Sequence, residues 1–529
     1  VAEQAVAVAP RQQHHPVRAV RGAIARWRRW ARAEDTTAIR SSIWARGVAA
    51  AAIGVSLAAW ATWATMRHNA FGTFGFDFGI FDQGVWLLSR FHAPFVTIMG
   101  VHLFGDHTSF ILLPLVPFYW VFPSAKVLIV AQAAALAIAG LPLFLIAREK
   151  LRSEWLAVGV LLAFLANPAL QWEGWEQFHP DVFEVPIALF TLYFMVRKRW
   201  LGFVICVFLL LAVKEDVALM TFMLGLYVAR YHNVRVGLLT SLFSVLWFVG
   251  AVYVVLPAFN GQGTLDAWRV PYGGPGGLLK RLVTHPWDVF ALALNEDKPW
   301  YLWQLFVSFG LLSLFAPSAV MIAAGPLASN LLSTFWYQYH LQYHYTTLLV
   351  AVLAFSAVVG ISHFQRRALR QSAVALVLAA GLVTGWMWGP SQLSRHPEYL
   401  GDSSVANVGP LKALLREVPR TASVSSHYSY ITHLDHRVEI YEFPTPWYQQ
   451  NWGNGRHTGD ELRSEAARVE YIVLPVQSLA PRETLLLEHL TSREFTKVAQ
   501  RGNAVVFKRV AKAENLDPAL QQQLRDLSR

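Results

Sequence analysis

Charge is what this chain has little of: 15% of its 529 residues are Asp, Glu, Lys or Arg, against about a quarter in soluble domains. That shortage excludes a string of three or four water-facing domains, which the length alone would allow. Cysteine is nearly absent. The single thiol, Cys206, lies in an apolar run, so intramolecular disulfides and cysteine-based metal sites are both excluded. No solenoid repeat is present, and the Gly-Gly-Pro-Gly-Gly turn at Gly273 to Gly277 is followed by no Gly-Lys-Ser/Thr, which excludes a phosphate-binding loop of that type. What the chain does have is apolar surface, at 54% hydrophobic and 13% aromatic residues, with a mean hydropathy of +0.35. This is the composition of an integral membrane protein. The formal charge of +11 then reads as orientation and attraction to anionic lipid, not as a nucleic-acid footprint.

Residues 1–46 form an arginine-rich arm in which the first apolar run comes too late and runs too long for a signal peptide. Eleven apolar stretches approach the roughly 20 residues that a spanning helix needs. They cover 47–65, 126–147, 155–170, 182–196, 201–213, 217–229, 236–257, 302–316, 318–332, 345–362 and 372–389. A cytoplasmic N-terminus puts Arg148/Lys150/Arg152, Arg197/Lys198/Arg199, Arg230/Arg235 and Arg366/Arg367/Arg370 all inside, as the positive-inside rule requires. The agreement needs 107–122 to lie on the outer surface as a juxtamembrane helix within a first outer loop, 66–125. The expected fold is therefore mainly α: a polytopic helical membrane domain over 47–389, followed by a small soluble α/β domain over 390–529 outside the cytoplasm. Strand-like runs at 437–441, 471–475 and 504–508 support that last domain.

Several outer-face segments carry chemistry. Asp77 and Asp82 flank aromatic residues in Phe76-Asp77-Phe78-Gly79-Ile80-Phe81-Asp82, and desolvated carboxylates suit general-base work. The competing reading is a helix N-cap at Asp77 and a solvated Asp82. Trp172 to Asp181 combines His179, carboxylates and indoles, as a metal site or a sugar-binding face would, or as an interfacial aromatic belt would. Lys214-Glu215-Asp216 places three charges between apolar runs, which is costly unless they are used. Lys214 there suits a phosphate, with Glu215 or Asp216 as counter-ion. His340 and His344, four apart, would on a helix share a face suited to metal or phosphate, against the stronger reading of an aromatic belt with two passenger histidines. Arg269 in the loop near the glycine turn is placed to meet an anionic headgroup.

These segments, with Gly105-Asp106-His107, Phe178-His179-Pro180-Asp181, Tyr343-His344-Tyr345 and the C-terminal Tyr441-Glu442-Phe443-Pro444, resemble the DUF2079 family of bacterial polytopic membrane proteins. That family is similar in plan to the GT-C glycosyltransferases, which implies a GT-C-like fold in the bacterial cytoplasmic membrane. The resemblance implies transfer of a sugar from a polyprenyl-phosphate carrier to an envelope glycan, lipid or protein, with membrane lipid as surroundings. By that resemblance Asp77 or Asp82 takes the place of the first-loop acidic residue; Lys214, Glu215, His107, His179, Arg269 and His344 are the residues expected to bind donor phosphate or substrate. No cofactor is fixed, although a divalent cation is compatible with these side chains. The rival functions are a lipid or solute transporter or flippase, and a non-catalytic envelope scaffold.

Overall fold

The computed structural model describes residues 39–265, 267–401, 407–450, 459–477 and 479–527. The basic arm up to residue 38 lies outside them. Every one of the apolar stretches contains helix, but 302–316 leaves it after Val307 for a turn and the 3-10 segment Leu312–Phe315, so eleven full-length spans are not formed. Among the described residues, five helices are long and apolar enough to cross a membrane: Ile43–Asn69, Lys126–Leu151, Val234–Asn260, His344–Ser362 and Arg367–Trp388. A sixth candidate span is Glu154–Leu165 followed by Pro168–Trp175, bent by 51°. The bend has a local cause. Asn167 caps the second piece through its side chain and Pro168 starts it, so the chain breaks and restarts there. The remaining stretches give shorter helices, among them Glu184–Val196, Trp200–Leu211 and Val217–Tyr231.

At the centre stands His344–Ser362, buried along nearly its whole length. It packs against Lys126–Leu151 and Glu184–Val196, while Ile43–Asn69 and Arg367–Trp388 close the outer side of the bent pair. Val217–Tyr231 and Val234–Asn260 form a tight hairpin made possible by small residues. A Cβ on Gly237 would sit 2.1 Å from the backbone nitrogen of Ala229, the kind of backbone approach that joins helices where lipid gives no hydrophobic drive. Thr221 and Ser244 add a hydroxyl pair at 2.8 Å across this hairpin. Its far face exposes Leu238, Leu239, Leu242, Val245, Leu246 and Val249, an apolar surface that requires lipid.

Polar groups divide between the two ends of this body. At one end Glu154, fully buried, accepts from the Ser42 backbone at 2.6 Å and pairs with Arg46 at 3.0 Å and Arg148 at 2.8 Å. The 148–152 and 197–199 loops meet there through Arg197 and Glu149, 2.8 Å apart. The expected cytoplasmic basic loops therefore share one end. The acidic and histidine-rich segments gather at the other.

The loop after the first helix contains a five-residue π-helical turn, Gly75–Gly79, the helix Ile80–Ser89, a short antiparallel pair β1 (Phe95–Val96) and β2 (Val101–His102), and the apolar helical segment Phe110–Val121. The C-terminal part forms a five-stranded sheet in which Ile440–Glu442, Val424–Ser426, Tyr471–Pro475, Ala504–Arg509 and Phe495–Arg501 lie side by side in that order. Its strands are β3 (Val424–Ser426), β4 (Ile440–Glu442), β5 (Tyr471–Pro475), β6 (Phe495–Arg501) and β7 (Ala504–Arg509). The first three are mutually parallel and the last two join antiparallel. This sheet is bound to the loop: Thr97 Oγ1 donates to the Ile440 carbonyl at 2.7 Å and accepts from its N–H at 2.9 Å. A Cβ on Gly75 would lie 2.6 Å from Ile431 Cδ1, so the glycine permits the close approach of the helix Tyr428–Ile431.

Candidate functional site

Asp77 sits within the π-helical turn at φ +64°, ψ −84°, a backbone state that costs a non-glycine residue about 1–3 kcal/mol. It caps no helix, since Ile80–Ser89 starts at Gly79 without a side-chain cap. Its carboxylate instead faces His179, with Oδ1 3.4 Å from Nε2. The two differ in access: the Asp77 side chain is 42% exposed and that of His179 only 9%. His179 Nδ1 lies 3.0 Å from the Gln177 carbonyl, which orients the ring, and the ring stacks on His344 with centroids 3.7 Å apart. Burial disfavours the imidazolium, but Asp77, Asp181 and Glu173 around it outweigh that and push His179 up to about 9.

Behind this pair, Lys214 Nζ meets Asp181 Oδ1 at 3.2 Å and lies 5.3 Å from the centre of the Tyr345 ring. Both charged groups are buried. The Lys214-Glu215-Asp216 triplet occupies the break between Trp200–Leu211 and Val217–Tyr231. Glu215 takes a separate partner, His107, at 2.8 Å, and accepts from the Thr108 N–H at 3.2 Å. Burial of His107 is outweighed by Asp106 and Glu215, which push it up to about 10. Glu215 is in turn held down at about 2, its burial overcome by the charge and hydrogen bond of His107. Arg269 donates to the Tyr345 hydroxyl at 3.1 Å and stacks 4.5 Å from the Phe335 ring. A cavity of about 30 Å³ lies against Asp181, Glu184, Asp216, Asn330, His344 and Tyr345. It has room for about two waters.

His107, His179, Lys214 and Arg269 are all within electrostatic reach of His344. With Asp77 on His179 and Glu215 on His107, seven of the eight residues singled out from the sequence are thereby brought together. The eighth, Asp82, is buried on the other side of the same segment, where Tyr119 donates to Oδ1 at 2.5 Å and His436 Nε2 lies 3.2 Å from that oxygen. A solvated Asp82 is thus excluded by its complete burial. His340 and His344 do not share a helix face. The chain turns between them; His340 approaches Asp297 at 3.5 Å while His344 stacks on His179. Residues not chosen from the sequence also enter: Glu184, which accepts from Thr347 Oγ1 at 3.2 Å, and Asp435, His436 and Tyr119 around Asp82. Glu184 carries a usable signal, a carboxylate opening an apolar helix, whereas Tyr119 is one aromatic among many.

A bundle of apolar helices joined to a C-terminal five-stranded sheet makes this a polytopic membrane protein of GT-C-like architecture. ArnT from Cupriavidus metallidurans, in the apo state, has a similar fold, with a TM-score of 0.52 over 88% of this chain and 98% of that one, at 14% identity. The chain belongs to the DUF2079 family, described as "Predicted membrane protein (DUF2079)", whose model matches residues 67–506. No curated protein matches it.

Proposed function

We propose that the protein is a membrane glycosyltransferase of GT-C type, acting on the outer face of the bacterial cytoplasmic membrane with its C-terminal domain also outside. The observation that carries this reading is Asp77: a half-exposed carboxylate held in a strained turn beside buried cationic groups, in a fold similar to that of a GT-C glycosyltransferase. Backbone strain of this kind persists where surroundings over-determine it, and it is concentrated at working sites.

In the proposed reaction, Asp77 takes the proton of an acceptor hydroxyl as that oxygen attacks the anomeric carbon of a polyprenyl-phosphate sugar. The bond from anomeric carbon to phosphate oxygen breaks, and its electron pair leaves with the carrier phosphate. Positive charge fixed in advance is the effective way to stabilise such a leaving group. The imidazolium of His179 and the ammonium of Lys214 supply it, with Arg269 at the edge, while His344 and Asp181 position His179 and Lys214. His107 and Glu215 act as a paired support beside them. The acceptor is an envelope glycan, lipid or protein.

The test uses the full chain in lipid nanodiscs with a panel of short polyprenyl-phosphate sugars, reading release of polyprenyl phosphate. Wild type should turn over at least one donor, and Asp77→Asn should lower the rate by about 100-fold, as for a lost general base, with carrier binding retained. Turnover of no donor by wild type, or an undiminished rate in Asp77→Asn, would remove this reading.

A further inference from the structure

On the side of the loop opposite Asp77 lies a cavity of about 620 Å³, walled by the loop and the C-terminal part, with Asp82, Asp435 and His436 in its lining. We propose that these three residues bind one divalent cation, which joins the loop after the first helix to the sheet domain.

Asp82 is 0% and Asp435 2% exposed, and a buried carboxylate without compensation is costly. Oδ1 of Asp82 has Tyr119 and His436, but Oδ2 of Asp82 and Oδ2 of Asp435 are buried with no hydrogen-bond partner among the described residues. The neighbouring guanidinium does not meet this need. Arg437 donates instead to the backbone carbonyls of Leu434, Pro419 and Ala422. One donor atom from each of Asp82, Asp435 and His436 falls within a group no wider than 4.8 Å, and ligands sharing one ion stand roughly 3–3.5 Å apart. Small side-chain rotations close that difference.

The surroundings resemble an outer shell. The Tyr119 hydroxyl fixes the Asp82 carboxylate, and the His436 ring lies nearly parallel to Trp86, with centroids 5.8 Å apart and planes inclined by 15°. Such supports hold first ligands in the orientation a metal needs. Two carboxylates and one imidazole suit Zn²⁺ or Mn²⁺ better than Ca²⁺, which takes six to eight oxygens. The cavity provides an entry path and leaves remaining coordination positions open to water or to an oxyanion. The rival occupant is a single proton shared between the two carboxyl groups.

This site stands whether or not Asp77 acts as a base, because its readouts are ion content and melting. The full chain in detergent is stripped with EDTA, dialysed, and titrated with Mn²⁺ followed by electron paramagnetic resonance, with Zn²⁺ as competitor. The expected result is one tightly bound ion per chain, displaced by Zn²⁺, with melting raised by several degrees on reloading. Asp435→Asn and His436→Gln should each lose that ion and should melt like stripped wild type. Wild type that retains no ion and melts identically with and without EDTA would overturn the proposal in favour of the shared proton. An ion kept at full stoichiometry by both variants would overturn it as binding elsewhere.

Discussion

Lys214 and Asp181 neutralise one another in a buried setting, and removing one partner from such a pair costs about 3–5 kcal/mol because the other charge is stranded. Lys214→Met therefore destabilises the fold as well as removing a phosphate-binding charge, and its melting temperature should fall below wild type. The double variant Lys214→Met/Asp181→Asn should recover much of the loss; a single variant as stable as wild type would show the pair to be idle. His179 gives a pH dependence. Its pKa is raised in the folded state, so its contribution to stability is complete below its ordinary value near 6.5 and disappears as pH rises through about 9. Melting measured from pH 6 to 10 should decline across that window in wild type, and less steeply in His179→Phe. His107 acts in the same sense at higher pH. Residues such as Lys214 and His179 were legible in the sequence because charge contrasts with apolar surroundings. Asp435 and His436 were not, because they lie in a polar, turn-rich segment where charge is ordinary. Their meaning comes from Asp82, 354 residues before His436.

Among elements, the docking of Tyr428–Ile431 on the Gly75–Gly79 turn leaves no room for a side chain at Gly75. Gly75→Ala would drive a methyl against Ile431, whose Cδ1 lies 2.6 Å and Cβ 3.1 Å from the new atom. Overpacking of this kind costs about 1–3 kcal/mol. The variant should melt earlier and be cut faster by protease between the last long helix and β3, with partial rescue by Ile431→Val, which removes Cδ1. Equal protease resistance in Gly75→Ala and wild type would contradict the tight docking. The long helices were legible because runs of apolar residues have few alternatives in lipid. The strands were legible in part: β5 and β7 follow from their apolar runs, whereas β3 has only three residues, Val424–Ser426, too few for any period. The outer strand β6 is mostly exposed after Phe495, so its sequence carries no buried alternation.

At the scale of the whole molecule, one end gathers basic loops around Glu154 and the other gathers histidines and carboxylates. In the proposed orientation, basic loops inside would put the C-terminal domain outside the cytoplasm. A reporter active only in the cytoplasm, fused after Arg529, should be silent, and one active only outside should signal; the opposite pair of results would reverse the orientation. The general plan was readable from composition and charge, but the sharing of the loop between two sites was not, since Asp77 and Asp82 are separated by five positions in sequence and by a layer of aromatic side chains in space. Phe78 and Phe81 form part of that layer, packed against His68 and His179 respectively.

The seam between that loop and the sheet also has a history in time. Synthesis proceeds from the N-terminus, so the loop is finished long before Ile440 and His436 exist to cover it. At about 5–20 residues per second, the interval is roughly 15 to 65 s. Throughout it, Phe78, Ile98 and Asp82, all buried in the completed protein, face whatever the nascent chain meets. A chain ending before β4 would lack the strand whose Ile440 meets Thr97 and would leave that face of the loop uncovered.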